Sequence, residues 1–243
     1  MAAVSYSYRY AVLDELRRLH AARVAEEWLS TGERGVYSQF RPGPRSDNWL
    51  LGRLLAKELV MTRLSGRPQR EGPLHPARIE IRSGAARGQR FRPRVAVDGR
   101  QRSWSLSIAH TEKAVLVVLA DGPRAAVGAD LVEPGRYGRG FLELWFTPLE
   151  QNRLREGDRP DMTAAVWAVK EAVYKAINRG EPFRPQSMEV LTDPDQGFVC
   201  RPAGQRERFP CDLILWRTPQ GGIAAIAAQT NGDVLAPFGD HHD

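Results

Sequence analysis

Asp130, Glu171 and Lys175 have the residue types and spacing that a divalent cation and a phosphate require. Asp130 lies near the end of the apolar run Ala125 to Val132, directly after Gly128-Ala129. A carboxylate in such a strand is costly unless it is paired, protonated or bound to a cation. Glu171 and Lys175 belong to Trp167-Ala-Val-Lys-Glu-Ala-Val-Tyr-Lys175. In a helix, residues four apart project from one face, so these two side chains stand together, with Trp167 four residues ahead of Glu171. Two carboxylates, water and substrate phosphate oxygens make the hard oxygen shell that magnesium prefers. Glu133 and Glu150 are further acidic candidates. Arginine outnumbers lysine 31 to 4, yet Lys170 and Lys175 both fall in this short segment, as though a compact point charge were needed there. His110, at the end of a strand-like run and followed by Thr111, could donate to a phosphate. Read alone, the Glu/Lys pair is an ordinary exposed helix pair with Trp167 and Val173 in the core; Asp130 is what raises it to a site.

The elements that must hold these residues follow from periodicity and punctuation. Tyr10 to Leu29 alternates apolar and charged positions as an amphipathic helix does, and a second helix is expected from about Asp47, its N-cap, to Leu64. Between them lies a Gly/Pro/Arg-rich stretch, Thr31 to Ser46, and a Gly/Pro-rich loop covers Ser65 to Pro76. Strands are expected at Arg78 to Arg82, Arg94 to Val97, Ser103 to Ile108, Ala114 to Ala120 and Ala125 to Val132. A helical region from Arg139 to Arg155 is interrupted where Thr147 could cap a new helix with Pro148 at its first position. The helix that carries Glu171 should run from about Met162 to Asn178, stopped by Gly180 and Pro182. Four more strands, from Ser187, Phe198, Cys211 and Gly222, finish the chain, and the tail from Thr230 is expected to fray. The order of helices then strands, twice over, suggests two related α+β halves, although no sequence repeat is evident.

Composition narrows the partners. The 243 residues are 42% hydrophobic and 26% charged, which fits a folded soluble protein. Apolar runs are strand-length, so no membrane span is expected, and the first ten residues do not read as a secretory signal. Two cysteines, Cys200 and Cys211, make neither a disulfide framework nor a metal cluster, which leaves the cytoplasm as the expected location. The net charge of +6 is unevenly divided: residues 1–124 carry 22 Lys/Arg against 12 Asp/Glu, a net of +10, and residues 125–243 carry 13 against 17, a net of −4. A basic half beside an acidic half suits a polyanion gripped on one side and a metal held on the other.

The ordered set of motifs resembles the 4′-phosphopantetheinyl transferases of the surfactin-synthetase-activating type. That family is marked by Gly-x-Asp after a strand and by Trp-x-x-Lys-Glu-x-x-x-Lys further on, met here by Gly128-Ala129-Asp130 and Trp167 to Lys175. Asn48-Trp49-Leu50-Leu51-Gly52-Arg53 with Lys57, Ser107 to Thr111, and Trp145 to Glu150 are similar to weaker marks of the family. The resemblance spans roughly residues 30 to 228. It implies two similar α+β halves related by a pseudo-twofold, with the ligand in the cleft between them: residues 1–124 basic and nucleotide-binding, residues 125–243 carrying magnesium. It implies transfer of the phosphopantetheine arm of coenzyme A to a serine of an apo acyl or peptidyl carrier protein, with release of adenosine 3′,5′-bisphosphate. Asp130 and Glu171, with Glu150 as a third candidate, would hold magnesium. Glu171 would accept the serine proton and Lys175 would stabilise or protonate the leaving phosphate. Lys170, His110, Thr111, Arg53, Lys57, Arg87 and Arg90 would contact coenzyme A. A monomer is implied, because one chain already supplies both halves.

The sequence departs from the family pattern at three places. Val132 stands where many members have a second acidic metal ligand, and Glu133 follows it on the opposite face of a strand. Ala109 replaces a usual serine, and Gly88-Gln89-Arg90 replaces Gly-Lys-Pro. Other readings of the same residues are a basic nucleic-acid-binding protein, a magnesium-dependent phosphohydrolase, and a transferase relative that binds without catalysis.

Overall fold

The computed structural model describes residues 4–18, 21–65, 74–83, 92–122, 124–155, 160–178, 182–193 and 197–230. The first half contains β1 (Tyr6–Val12), α1 (Leu13–Arg18), α2 (Ala21–Trp28), α3 (Thr31–Tyr37) and the long α4 (Pro44–Ser65). A 3-10 turn at Pro76–Arg78 then leads to β2 (Ile79–Arg82), β3 (Arg94–Val97), the short β4 (Arg100–Gln101), β5 (Trp104–His110) and β6 (Ala114–Asp121). The second half repeats this plan: β7 (Ala125–Val132), α5 (Arg139–Trp145), α6 (Pro148–Arg155), α7 (Pro160–Ile177), a 3-10 turn at Pro185–Ser187, then β8 (Met188–Asp193), β9 (Gly197–Pro202), β10 (Asp212–Arg217) and β11 (Ile223–Thr230).

The sheets repeat as well. The last strand of each half lies in the middle, flanked by its first strand and the strand before it: β1-β6-β5 in one sheet and β7-β11-β10 in the other, all antiparallel. One core forms where α4 covers the first sheet and a second where α7 covers the other. A third core lies at the seam between halves, where Leu116, Val118 and Ala120 meet Val127, Ala129, Leu131, Ala224, Ile226 and Ala228. Strand β6 is thus buried on both faces, which explains its unbroken apolar sequence. Among the described residues, β7 has no strand partner on its β5 side. Its Val127 and Ala129 amides donate instead to the hydroxyls of Ser105 and Ser107 on β5, at 3.0 and 2.9 Å, so serine side chains satisfy the sheet edge.

The strands and helices expected from Arg78 onward lie where periodicity puts them, to within two residues at either end, and the short β4 at Arg100–Gln101 is an addition that pairs with β3. The amino-terminal reading needs correction. Residues 6–12 form a strand paired with β6, so the helix expected from Tyr10 begins only at Leu13; Tyr6, Tyr8 and Tyr10 alternate at the strand period and the edge of β6 is open to them. The stretch Thr31 to Ser46 is not all loop: α3 begins there, capped by Ser30. Asp47 is no N-cap either, since α4 already starts at Pro44 and Asp47 sits in its first turn. The expected stop at Gly180 and the tail beyond Thr230 lie outside the described residues.

Two buried ion pairs pin the repeated framework. In the first half Ser30 and Glu33 form a capping box: the Ser30 Oγ accepts from the Glu33 amide and a Glu33 carboxylate oxygen accepts from the Ser30 amide. The other Glu33 oxygen accepts from the Ile81 amide of β2 at 2.9 Å, and Lys57 of α4 donates to the carboxylate at 2.6 Å and to the carbonyls of Trp28, Pro76 and Ile79. In the second half Thr147 and Glu150 repeat the box, the Val190 amide of β8 donates to Glu150 at 2.8 Å, and Lys170 of α7 donates to Glu150 at 2.5 Å and to the carbonyls of Trp145 and Pro185. Both lysines have no exposed surface. Burial pulls each ammonium below the ordinary lysine value while its carboxylate partner opposes that pull. Each pair joins a helix cap, the long helix, the 3-10 turn and the hairpin after it. Removing one partner of a buried pair strands the other charge at a cost of about 3–5 kcal/mol. Lys57→Met and Lys170→Met are each expected to lose stability of that order in urea unfolding; a loss under about 1 kcal/mol would show that the pairs are not structural pins.

Candidate active site

Asp130 reaches Lys175 because α7 lies directly on the backbone of β7. Gly128 makes this approach possible: a Cβ there would stand 2.0 Å from the Ala172 carbonyl oxygen, 2.5 Å from the Ala176 amide nitrogen and 2.9 Å from the Lys175 Cβ. Such contacts exclude any side chain at 128. Gly128 and Asp130 share a face of β7, so the surface that admits the helix also presents the carboxylate one residue pair further along. Trp167 holds the middle of the helix, packing its ring against Phe141, Trp145 and Phe183 at centroid distances of 5.5–5.7 Å. Arg92, from the first half, donates to the carbonyls of Ala176 and Asn178 and so caps the carboxyl end of α7.

Lys175 Nζ lies 2.6 Å from Asp130 Oδ1 and 3.5 Å from Glu171 Oε2, so one ammonium joins both carboxylates. Asp130 is 8% exposed. Burial pushes its carboxyl up to about 6, with Glu171 adding to the rise and Lys175 opposing it. For Lys175, burial favours the neutral amine but is outweighed by Asp130 and Glu171, which hold the ammonium above its usual value. His110 arrives at the same place from the end of β5. Partial burial and the nearby Lys175 charge hold its imidazole below the ordinary value. The turn after it is rigid: Thr111 Oγ1 accepts from the amides of Lys113 and Ala114, and the Thr111 carbonyl accepts from Asn48 Nδ2 of α4 at 3.0 Å. The cluster therefore draws on both halves.

The structure brings together Asp130, Glu171, Lys175, His110 and the Thr111 turn. It does not bring Glu150, Lys170 or Lys57 to them. Glu150, expected as a metal ligand, is 2% exposed and spends both oxygens on Thr147, Val190 and Lys170. Lys57 and Lys170, expected at phosphates, donate every N–H inside their pins. Arg53 is buried against Trp49, its guanidinium 4.2 Å from the ring centroid, and donates to Ser83 Oγ at 2.6 Å, while its Nε has no partner among the described residues. Burial pulls Arg53 down to about 10, against the charge of Glu33. Arg87 and Arg90 lie outside the described residues. Glu133 stands just beyond the end of β7, and its Oε2 pairs with Lys113 at 2.7 Å, so it sits at the His110 turn rather than on the face of Asp130. Val132 shares that face and packs into the second core instead. The caps Arg92 and Asn48, and the edge serines Ser105 and Ser107, have no positional signature that gives their roles away in sequence.

Among the described residues, no group of three or more His, Cys, Asp or Glu side chains could hold a metal ion. Asp130 and Glu171 still fit magnesium, which commonly takes only one or two protein carboxylates and fills its octahedron with water and phosphate oxygens.

Residues 126–227 match the family model of the 4′-phosphopantetheinyl transferase superfamily, a stretch that contains Asp130, Glu171 and Lys175. Among solved structures, the chain is similar to a holo-(acyl-carrier-protein) synthase from Bacillus anthracis in complex with CoA (3′,5′-ADP), with 22% identity over 49% of this chain and 98% of that one and a TM-score of 0.39. It is similar to the holo-[acyl-carrier-protein] synthase of Thermotoga maritima, with 16% identity over 58% of this chain and 74% of that one and a TM-score of 0.37. A third similar structure is an ACPS–CoA complex from Chronobacterium ammoniagenes, with 26% identity over 43% of this chain and 95% of that one and a TM-score of 0.33. No curated protein matches the chain.

Two measurements test the geometry. Gly128→Ala forces α7 off β7 and is expected to destabilise the protein by about 2 kcal/mol or more in urea unfolding; a neutral substitution would refute the close approach. Asp130 in the folded chain keeps its proton up to about pH 6, whereas unfolded it loses it near 3.8. Between these values the folded state binds more protons, so its stability falls as pH rises through the window. Wild type should lose up to about 3 kcal/mol relative to Asp130→Asn between pH 4 and pH 6.5. Parallel stability curves for the two proteins would show that Asp130 is not held protonated.

Proposed function

We propose that the chain is a 4′-phosphopantetheinyl transferase that moves the phosphopantetheine arm of coenzyme A to a serine hydroxyl of an apo acyl or peptidyl carrier protein and releases adenosine 3′,5′-bisphosphate. The observation that carries this reading is the meeting of Asp130, Glu171 and Lys175 beneath Gly128, within the stretch that matches the transferase superfamily.

Phosphoryl transfer of this kind needs an in-line approach of the hydroxyl, removal of its proton, and compensation of charge on the leaving phosphate. Glu171 accepts the serine proton, directly or through a water. Lys175, freed from Asp130, places its ammonium at the leaving phosphate, either as a charge or as a proton donor. His110 contributes an N–H from the opposite half, and its low proton affinity keeps the imidazole neutral near pH 7. Asp130 and Glu171 would hold magnesium, which when bound neutralises pyrophosphate charge as the phosphorus–oxygen bond breaks. The basic residues 1–124 face the nucleotide in this reading, with Arg53, Arg87 and Arg90 as the candidate contacts, and residues 125–243 carry the metal. Among the described residues no helix is long and apolar enough to cross a membrane. We place the enzyme in the cytoplasm as a monomer, since one chain brings both sides of the cluster together.

The test is to incubate the protein with coenzyme A, magnesium and a panel of apo carrier proteins and to look by intact mass for the added arm. Asp130→Ala and Glu171→Ala are expected to lose about 100-fold or more of the transfer rate while remaining folded, and Lys175→Ala to be severely impaired. Wild-type rates from Glu171→Ala would sink the mechanism. Release of phosphate or nucleotide without an apo carrier would replace transfer by hydrolysis.

A further inference from the structure

We infer that Lys175 is the resident cation of the Asp130–Glu171 pair, and that a divalent metal binds there only by displacing it, so that metal and a polyphosphate ligand bind as a coupled set. This rests on the reading of Asp130 and Glu171 as metal ligands. Lys175 Nζ makes a direct 2.6 Å contact with Asp130 Oδ1 and stands 3.5 Å from Glu171 Oε2, so its ammonium already sits at one oxygen of each carboxylate that a metal would use. A divalent ion within bonding distance of those oxygens would place its two charges beside an ammonium held at the same atoms. The two cannot share the site.

The ammonium has a route to solvent but gives up a buried carboxylate when it takes it. Its side chain is 30% exposed, its stem lies where α7 crosses Gly128, and His110 faces it across the seam with no negative charge to offer. Glu133, at the end of β7, is already paired with Lys113 at 2.7 Å. A displaced Lys175 therefore needs an anion brought from outside, and a pyrophosphate supplies one while also completing the metal's oxygen shell. Each ligand then removes the obstacle to the other, which is positive coupling between two binding events and is reciprocal. The device would keep the site from taking up a bare metal ion, and would deliver the Lys175 ammonium to the phosphate whenever the metal is loaded.

Binding of Mn2+ to the full chain, followed by loss of the free-ion electron paramagnetic resonance signal, tests this without any turnover. Wild type is expected to bind Mn2+ weakly alone and at least about tenfold more tightly with coenzyme A present, within the range usual for coupled sites. Lys175→Gln should bind Mn2+ at least about tenfold more tightly than wild type in the absence of coenzyme A, and coenzyme A should then add less than about threefold. Lys175→Arg, which keeps the charge, should remain weak. The inference is overturned if Lys175→Gln, shown to be folded by circular dichroism, binds Mn2+ no more tightly than wild type. Should that variant fail to fold, wild type still decides: equal Mn2+ affinity with and without coenzyme A overturns the coupling. Absence of Mn2+ binding under every condition would instead remove Asp130 and Glu171 as a metal site, and the metal part of the proposed function with it.

Discussion

No side chain fits at residue 128, and the rest of the site depends on that constraint. With an alanine there, the Ala172 carbonyl and the Ala176 amide would both have to move, and they belong to the last turns of a helix whose own hydrogen bonds hold them. The helix would lift, and the 2.6 Å contact between Lys175 and Asp130 would open with it. The buried carboxyl of Asp130 would then lose the ammonium that compensates it. Aligning the helix is therefore a backbone matter, settled by one glycine and by the small Ala172 and Ala176 that face it. The aromatic cluster at Trp167 holds the middle of the helix and Arg92 caps its carboxyl end, on either side of the turns that Gly128 admits.

The duplicated framework shows which half was specialised. Lys57 and Lys170 occupy the same position in the two pins, so Glu58 stands on α4 where Glu171 stands on α7, and Thr62 stands where Lys175 stands. On the face of β1 that meets α4 the alternate positions are Ser7, Arg9 and Ala11, with neither a glycine nor a carboxylate among them. The first half thus keeps the glutamate but lacks the glycine, the aspartate and the lysine. Glu58 makes only a loose 3.9 Å pair with Arg9, and burial raises its carboxyl above the ordinary value. A framework with two equivalent positions carries one complete cluster. What the first half contributes instead is the β5–β6 turn, which reaches across the seam with His110.

Asp130, Glu171 and Lys175 were legible in the sequence because their types, their helical spacing and the preceding glycine all report on the same contact. The duplication was legible as an order of elements, helices then strands twice over, but not as a residue repeat. Its signal is Trp28-Leu29-Ser30-x-x-Glu33 against Trp145-Phe146-Thr147-x-x-Glu150, with Lys57-Glu58 against Lys170-Glu171, and these few identities are spread over helices whose other residues answer only to local packing. The roles of Glu150, Lys57 and Lys170 were misread for the same physical reason. Charged residues beside a candidate site look like ligands in one dimension, whereas depth decides: a charge with no solvent path must be satisfied inside the fold, and these are. Strand β1 was missed because its tyrosines suit a helix face and a strand edge alike, and only the open side of β6 selects between them.

The scarcity of lysine has a structural reading at each of its four positions. Lys57 and Lys170 pair with Glu33 and Glu150, Lys113 with Glu133, and Lys175 with Asp130. Every lysine of the chain therefore meets a carboxylate, while the 31 arginines carry the general basic charge. In the two pins the reason is geometric. A compact ammonium aims three donors in different directions, towards a carboxylate and main-chain carbonyls from a cap and a turn, where the flat fork of a guanidinium would not fit. At Lys175 the same compactness serves a different end. Its side chain is 30% exposed where those of Lys57 and Lys170 are sealed at 0%, so it alone combines a close contact to a buried carboxylate with a route to solvent. The fold uses one chemical device three times in its interior, and reactivity is separated from architecture by how much water each copy can reach.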